Sequence, residues 1–565
     1  MNFKITLIFI FIVTHFIAAQ SKYPETNFSK PIDLPLLLSG NFGELRSNHF
    51  HAGLDIKTNK QTGIKVKSIE DGYVSRIKVS LWGYGKALYI THPNGYTSVY
   101  AHLKKFSPKI EAYVKKQQYK KHSYVIQIFP KKEVLKISKN ELIAYSGNTG
   151  GTTGPHLHFE IRQTKSEEPI NPMLFGYNIA DHKKPIVTNL IAYPLNDSSQ
   201  VNQSNMPVKI QFRQLKNGNY IADKISAYGQ IGIGISTFDR QDSARNKNGI
   251  YELSLSINGS LKYHYKLDKF SYNNVKFINL FLDYKAYFVN HQSIQKCFIV
   301  PQNKLHIYDK SLGSGKLKIL NDLSYNVNII SKDFKQNKTQ IIIPIQGQKA
   351  AILVKKQIVK TPYFIANNLF NKFKIQNVNV AFPKHTFYHN FYLKFNVKND
   401  TAFIGTNNVP LNKKYTLTFY LDSLNNNKKS HLYIAEIIKN KYVNYVNSIF
   451  KENKVYTTLK TLGTYALLKD SILPSIKPLN FKDKQWLSKE QFLKVEVNDL
   501  NSGIKNYNAY IDGHWALMEY NPKKGILSYN FDDKTFTTAK HKFKLSVTDN
   551  ANNTNTFTAT FYRLK

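Results

Sequence analysis

The chain has 565 residues, 42% hydrophobic and 13% aromatic, which supplies apolar material for more than one core and excludes disorder throughout. Its 79 basic and 37 acidic residues give a formal charge of +42. The lysines are spread along the chain and no nucleic-acid-binding module accompanies them, so we expect no nucleic acid partner, whereas an anionic envelope polymer is compatible.

In chain order, residues 1–19 read as a secretory signal peptide. Lys4 precedes an apolar run broken only by threonines and His15, and the run ends in the small residues Ala18 and Ala19. The run is shorter than the roughly 20 residues a bilayer span needs. No cysteine lies nearby to carry a lipid anchor, and no later stretch is long and apolar enough to span a membrane. The expectation is an exported chain with no stable transmembrane anchor after cleavage. The only cysteine, Cys297, excludes an internal disulfide framework and reads as a small buried hydrophobe.

Residues 20–40 form a lead-in segment with Pro24, Pro31 and Pro35. Residues 41–178 hold Gly-rich turns and most of the conspicuous histidines. Residues 179–346, 347–470 and 471–565 read as strands. Ile231, Ile233 and Ile235 alternate with Gly and Ser. Tyr251, Leu253, Leu255 and Ile257 alternate with polar residues and end at Asn258-Gly259, a hairpin signal. Phe543, Leu545 and Val547 alternate too, as do Phe557, Ala559 and Phe561. Long helical periodicity is scarce. Residues 238–259 parallel residues 497–513, and Asp333…Asn337 parallels Asp549…Asn553. We read two related β-sandwich modules of immunoglobulin-like type, with a third, less clear module between them.

Four segments of 41–178 carry chemistry: NHFHAGLDIKT with His51 and Asp55, SVYAHLKKF with His102, the glycine- and threonine-rich turn AYSGNTGGTTG, and GPHLHFEIR with His156 and His158. On a strand, His156 and His158 lie about 6.6 Å apart on one face, while Leu157 and Phe159 face the other way into a core. One histidine can ligate a metal while its neighbour stands beside it. His51 and Asp55 would be about 13 Å apart on a flat strand, so HxGxD makes a ligand pair only if Gly53 permits a bend or bulge. A helical pairing is the rival geometry. Each segment alone is weak; together and in this order they are strong.

Residues 41–172 resemble the lysostaphin/LytM-type zinc endopeptidases, which cut the peptide part of bacterial peptidoglycan. The resemblance rests on HAGLD (51–55), YAHL (100–103), SGNTGGTTGPHLHFEIR (146–162) and PINP (169–172). It implies a mainly β fold with an antiparallel-sheet zinc peptidase domain over 41–178. It implies one zinc ion per chain held by His51, Asp55 and His158, with His102 and His156 as catalytic histidines. Three ligands leave an open position for water, as a catalytic zinc requires. No H-E-x-x-H segment places a glutamate base. His156 is then the better general base and His102 orients water or stabilises the oxyanion, unless the two roles are exchanged or shared. Residues 111–132 exceed the family's common connection and could wall the groove or meet another domain.

Other histidines have plainer readings: His49 beside the metal site or on the surface, His92 at a turn, His122 solvated among lysines, His514 in sandwich packing or an exposed turn. GSGK (313–316) lacks the spacing of a phosphate loop. The expected function is an exported zinc metalloendopeptidase acting on peptidoglycan cross-links or stem peptides, in the periplasm or envelope of a Gram-negative bacterium, or secreted. The β-sandwich modules would then meet other envelope proteins. The alternative is a non-catalytic or latent scaffold that docks a partner cell-wall hydrolase. A third reading is a secreted protease acting on proteins outside the wall.

Overall fold

Alternating apolar residues make strands wherever one face can be buried, and this chain is built almost entirely that way. The computed structural model describes residues 23, 28–421, 431–439 and 442–564. The expected signal peptide, 1–19, lies outside the described residues.

The histidine-bearing region begins with β1 (Leu38–Gly40), β2 (Leu45–Arg46), β3 (His49–Phe50), β4 (Leu54–Lys57), β5 (Lys65–Lys67), β6 (Gly72–Val79), β7 (Lys86–Thr91), β8 (Tyr96–Ala101) and β9 (Lys105–Phe106). Helix α1 (Pro108–Lys121) follows, then β10 (Ile126–Ile128), β11 (Lys136–Ile137), β12 (Leu142–Tyr145), β13 (His156–Gln163) and β14 (Pro169–Ile170). The main sheet runs β1-β4-β13-β8-β7-β6-β10, all neighbours antiparallel. A smaller sheet, β5-β12-β9, packs beside it. Leu157, Phe159 and Ile161 of β13 are fully buried, so this strand is anchored in the core on the face opposite its histidines.

Helix α1 occupies much of the long 111–132 connection. Pro108 starts it, Ile110, Val114 and Gln118 are its buried stripe at four-residue spacing, and His122 ends it in a left-handed conformation.

The next region, 186–347, forms a twelve-stranded assembly around the long strand Ile225–Phe238, which pairs antiparallel with Ile186–Pro194 and parallel with Lys338–Gly347. Residues 275–290 depart from the strand reading: a 3-10 turn and two short helices, Ile278–Phe281 and Tyr284–Asn290, pack there. Their buried residues, Phe277, Ile278, Leu280, Phe281 and Tyr284, serve the core without alternation. One apolar cluster runs from Tyr23 through Phe175 to Ile345 and takes in Tyr388 and Leu517, so the core does not divide at residue 178. Two further cores are separate. Two five-stranded sheets share one between Ile365 and Leu467, and a four- and a five-stranded sheet share the other between Phe481 and Phe561. Both are sandwiches. Cys297 is fully buried, as its composition suggested. Gly315 of GSGK lies at positive φ against the Cys297 carbonyl, a turn and not a phosphate cradle.

Candidate active site

Strand register builds half of the site. β13 runs antiparallel to β4 with His158 directly opposite Asp55. Cross-strand neighbours lie close enough for side chains to meet. His51 precedes β4, on the bend between β3 and β4. Gly53 makes the bend workable by close approach: a Cβ there would sit 2.2 Å from the Phe159 carbonyl oxygen of β13. His51 and Asp55 therefore share no flat strand, and His51 Nε2, Asp55 Oδ1 and His158 Nδ1 converge, with separations of 2.8, 3.0 and 3.1 Å. Three ligands bound to one zinc at its usual bond lengths would stand about 3.3 Å apart, so two imidazole nitrogens and one carboxylate oxygen fit the ion in number, chemistry and spacing.

Each converging group is aimed by a second partner. His51 Nδ1–H donates to the Asn41 carbonyl at 2.7 Å, leaving Nε2 for the metal. His158 Nε2–H donates to Glu160 Oε1 at 2.8 Å, leaving Nδ1. Arg46 Nη2 donates to Asp55 Oδ2 at 3.1 Å, leaving Oδ1. Glu160 is itself held by Arg162 Nε at 2.6 Å and by the Tyr84 hydroxyl. Such supports fix ring orientation and ligand basicity. Burial works against charge throughout. Even so, hydrogen bonds to Asp55 and Glu160 push the His158 imidazole up to about 9, and Arg162 and His158 hold the Glu160 carboxyl far below the usual range.

The two remaining histidines flank the convergence point. The rings of His102 and His156 are 4.8 Å apart, and His156 Nε2 lies 3.4 Å from Asp55 Oδ1. His156 Nδ1–H donates to the Gly154 carbonyl at 2.9 Å, and His102 Nδ1–H to the Thr149 carbonyl at 2.8 Å. In the neutral ring each therefore presents Nε2 as the acceptor. Burial, reinforced by His158 and His156, lowers His102 to about 3, which keeps it neutral. His102 adopts φ +59, a left-handed backbone costly for a non-glycine residue and found preferentially at functional sites. The Gly/Thr turn supplies the support: Thr149 Oγ1 accepts from Lys86 N and donates to the Leu103 carbonyl. Gly147 allows the turn to press on the His102–Lys104 backbone, where a Cβ would meet Lys104 N at 2.3 Å.

The domain following residue 470 reaches this turn. Lys523 Nζ donates to the Asn148 and Thr152 carbonyls. Lys86, buried, pairs with Glu519 at 3.0 Å, and α1 meets the same domain through Lys115–Asp533 and through Trp515, which packs on Tyr119 and His122.

Residues 49–119 and 124–172 match the model of Peptidase family M23. The chain carries an M23 peptidase domain. A second match, to a Zu5-like domain, covers residues 362–470. The M23 region is 32% identical over 129 residues to the DD-carboxypeptidase/endopeptidase Mpg of Neisseria meningitidis serogroup B, covering 23% of this chain and 23% of that protein. It is 33% identical over 111 residues to an uncharacterized metalloprotease of Haemophilus influenzae, covering 20% and 18%. The chain thus spans about a quarter or less of these curated relatives' lengths. Among solved structures, a zinc-containing peptidase from Vibrio cholerae is 26% identical, with 27% of this chain and 41% of that one covered and a TM-score of 0.20.

The M23 domain brings together His51, Asp55, His102, His156 and His158. It leaves His49 exposed, its ring bonded to the Ser47 carbonyl. His92 is buried between the Asp71 carbonyl and Ser98, beyond its turn reading. His122 is exposed, as expected, and also stacks on Trp515 with ring centroids 5.4 Å apart. Glu160, Tyr84, Arg46 and Arg162 escaped the sequence reading. Glu160 alone had a signal, as the next same-face residue after His158. Tyr84 and Arg46 reach the site only through tertiary contacts.

Proposed function

We propose that this chain is an exported zinc metalloendopeptidase that hydrolyses peptide bonds of bacterial peptidoglycan, with His51, Asp55 and His158 holding the zinc. The observation that carries the reading is the convergence of those three atoms beside two histidines that share one tautomer. Zinc held there would polarise the scissile carbonyl and acidify water. The residues do the rest. His156 Nε2, beside the ligand set, takes a proton from attacking water and returns it to the leaving amine. His102, kept neutral by burial, accepts a hydrogen bond from that water and holds it in line. Asn41, Glu160 and Arg46 keep the ligand atoms aimed. Peptidoglycan as substrate is supported by the likeness to a DD-carboxypeptidase/endopeptidase and by the chain's excess of positive charge, which suits an anionic envelope.

One observation favours a second reading. The domain after residue 470 grips the turn that carries Thr149 and Thr152, which suits a latent enzyme or a scaffold. One experiment separates the two. The full chain, His156→Ala and His158→Ala are assayed for bound zinc and for release of soluble fragments from purified sacculi. We expect His158→Ala to lose metal and activity, and His156→Ala to keep metal and lose turnover. Equal release by all three sinks the enzyme reading at this site. No release from a zinc-loaded wild type supports the latent one.

A further inference from the structure

Outside the M23 site, three carboxylates meet at the start of the second domain. Asp181, Asp239 and Asp333 each place a carboxylate oxygen within 4.8 Å of the others. A second triad, Asp470, Asp499 and Asp549, lies at the corresponding place in the C-terminal sandwich. The two share a frame. Asn337 donates its backbone N–H and Nδ2 to Asp333 at 2.9 and 2.6 Å and reaches the Asp181 carbonyl at 3.0 Å. Asn553 does the same to Asp549 at 2.8 and 2.7 Å and to the Asp470 carbonyl at 2.9 Å.

They differ in how the negative charge is answered. In the C-terminal triad the remaining carboxylates are filled with donors. Asp499 Oδ1 takes the Asn501 and Gly503 amides, and Asp470 takes the Ile472 and Ser502 amides and the Asn501 side chain. In the first triad, Asp239 is only 3% exposed and its Oδ1 has no hydrogen-bond partner. Beside it stands a second orphan. Asn248 is 4% exposed, its Oδ1 is also without a partner, and its backbone exchanges both hydrogen bonds with Asp239 at 2.9 Å. In such a pair both side chains project from the same face of the ladder, so Asn248 stands on the face that carries the Asp239 carboxylate. Asp333 and Asp181 take amide donors, from Asn337 and Lys183, but two buried oxygens that accept nothing are costly, and beside three gathered carboxylates they call for a cation.

We propose that Asp181, Asp239, Asp333 and Asn248 form a binding site for a hard divalent cation, Ca2+ being the best match. All four donors are oxygens, which hard cations select, and carboxylates plus a carboxamide and water can complete the six to eight ligands calcium takes. The ion bridges three segments: the link from the M23 domain at Asp181, the loop 239–249, and the turn at Asp333. That loop also touches the M23 domain, where the Gln241 side chain accepts from Leu38 N and Gly249 clamps the Asn41 side chain at 2.7 and 2.8 Å. The site therefore stands at the seam between the two domains.

The test uses the full chain stripped with a chelator, given one equivalent of zinc, and titrated with Ca2+ by calorimetry while Tm is followed. One Ca2+ per chain with a rise in Tm is expected. Asp239→Asn and Asn248→Ala each weaken Ca2+ binding at least tenfold, and Asp499→Asn leaves it unchanged. Without Ca2+, Asp239→Asn should melt no lower than wild type, because it removes a buried carboxylate repelled by the two beside it. If that variant fails to fold by circular dichroism, Asn248→Ala decides. No saturable heat with an unchanged Tm overturns the proposal, as does wild-type affinity in a folded Asp239→Asn or, where that variant does not fold, in Asn248→Ala. Loss of binding in Asp499→Asn alone would overturn it by moving the site to the other triad.

Discussion

Glu160 lies two residues beyond His158 on β13, and its carboxylate joins the His158 ring to Arg162 and Tyr84. A carboxylate behind a ligating imidazole raises the basicity of the nitrogen facing the metal, and losing one costs about 10–100-fold in metal affinity. Glu160→Gln keeps the shape, removes the charge and leaves the buried Arg162 only the more distant Glu167 carboxylate, at 3.5 Å. Competition with a zinc chelator should therefore show affinity falling about 10–100-fold, with the far-ultraviolet spectrum unchanged. Wild-type affinity would show that Glu160 only packs. Cys297 tests burial at the same scale. Desolvation alone pushes its thiol well above the ordinary range, so the native chain should not react with a thiol reagent at pH 8 until it unfolds. Prompt native labelling would contradict the buried assignment.

At the scale of elements, the site depends on how closely β4 and β13 approach. Gly53 has no room for a side chain against the Phe159 backbone, which cannot swing away as a side chain would. Gly53→Ala should destabilise the chain by on the order of 3 kcal/mol, measured as a lower Tm, and should also lower zinc content. An unchanged Tm would mean that the strand pair breathes more than its packing suggests. Asn41 links elements of two domains: its side chain is clamped by Gly249 while its carbonyl holds His51. Asn41→Ala releases the clamp and not the carbonyl. Zinc affinity should fall by roughly tenfold, and a fall only in Tm would reduce Asn41 to a structural contact. The HxGxD spacing showed that a bend was needed, because a flat strand could not bring His51 to Asp55. It could not show that the bend is enforced by β13, about a hundred residues further along.

For the whole molecule, the M23 domain is gripped from two sides. The second domain shares its core, and the C-terminal sandwich holds the Gly/Thr turn through Lys523 and the flank of the turn through the Lys86–Glu519 pair. That turn fixes both flanking histidines: the Thr149 carbonyl holds His102, and Thr152 Oγ1 lies 3.2 Å from His156 Nδ1. Lys523→Ala should keep zinc and lower kcat on sacculi by roughly tenfold, since small misplacements of catalytic groups are expensive. A rise in kcat would show instead that the sandwich restrains the site. Among the described residues no helix is long and apolar enough to cross a membrane.

The amino-acid sequence by itself determined the strand alternation, the buried anchor residues of β13 and the set of five chemically apt side chains, because these are encoded by residue type at short spacing. It also carried the repeat Asp…Asn that recurs in two β domains. Only the tertiary structure decided which atoms meet. The facing of His158 and Asp55, the tautomers set by distant carbonyls, the helix within the 111–132 connection, the stacking of His122 on Trp515 and the orphan oxygens at Asp239 and Asn248 all depend on partners far away in sequence. Local pattern reports which face of an element is apolar. What that face meets is settled by packing, where contacts between distant segments outweigh any local preference.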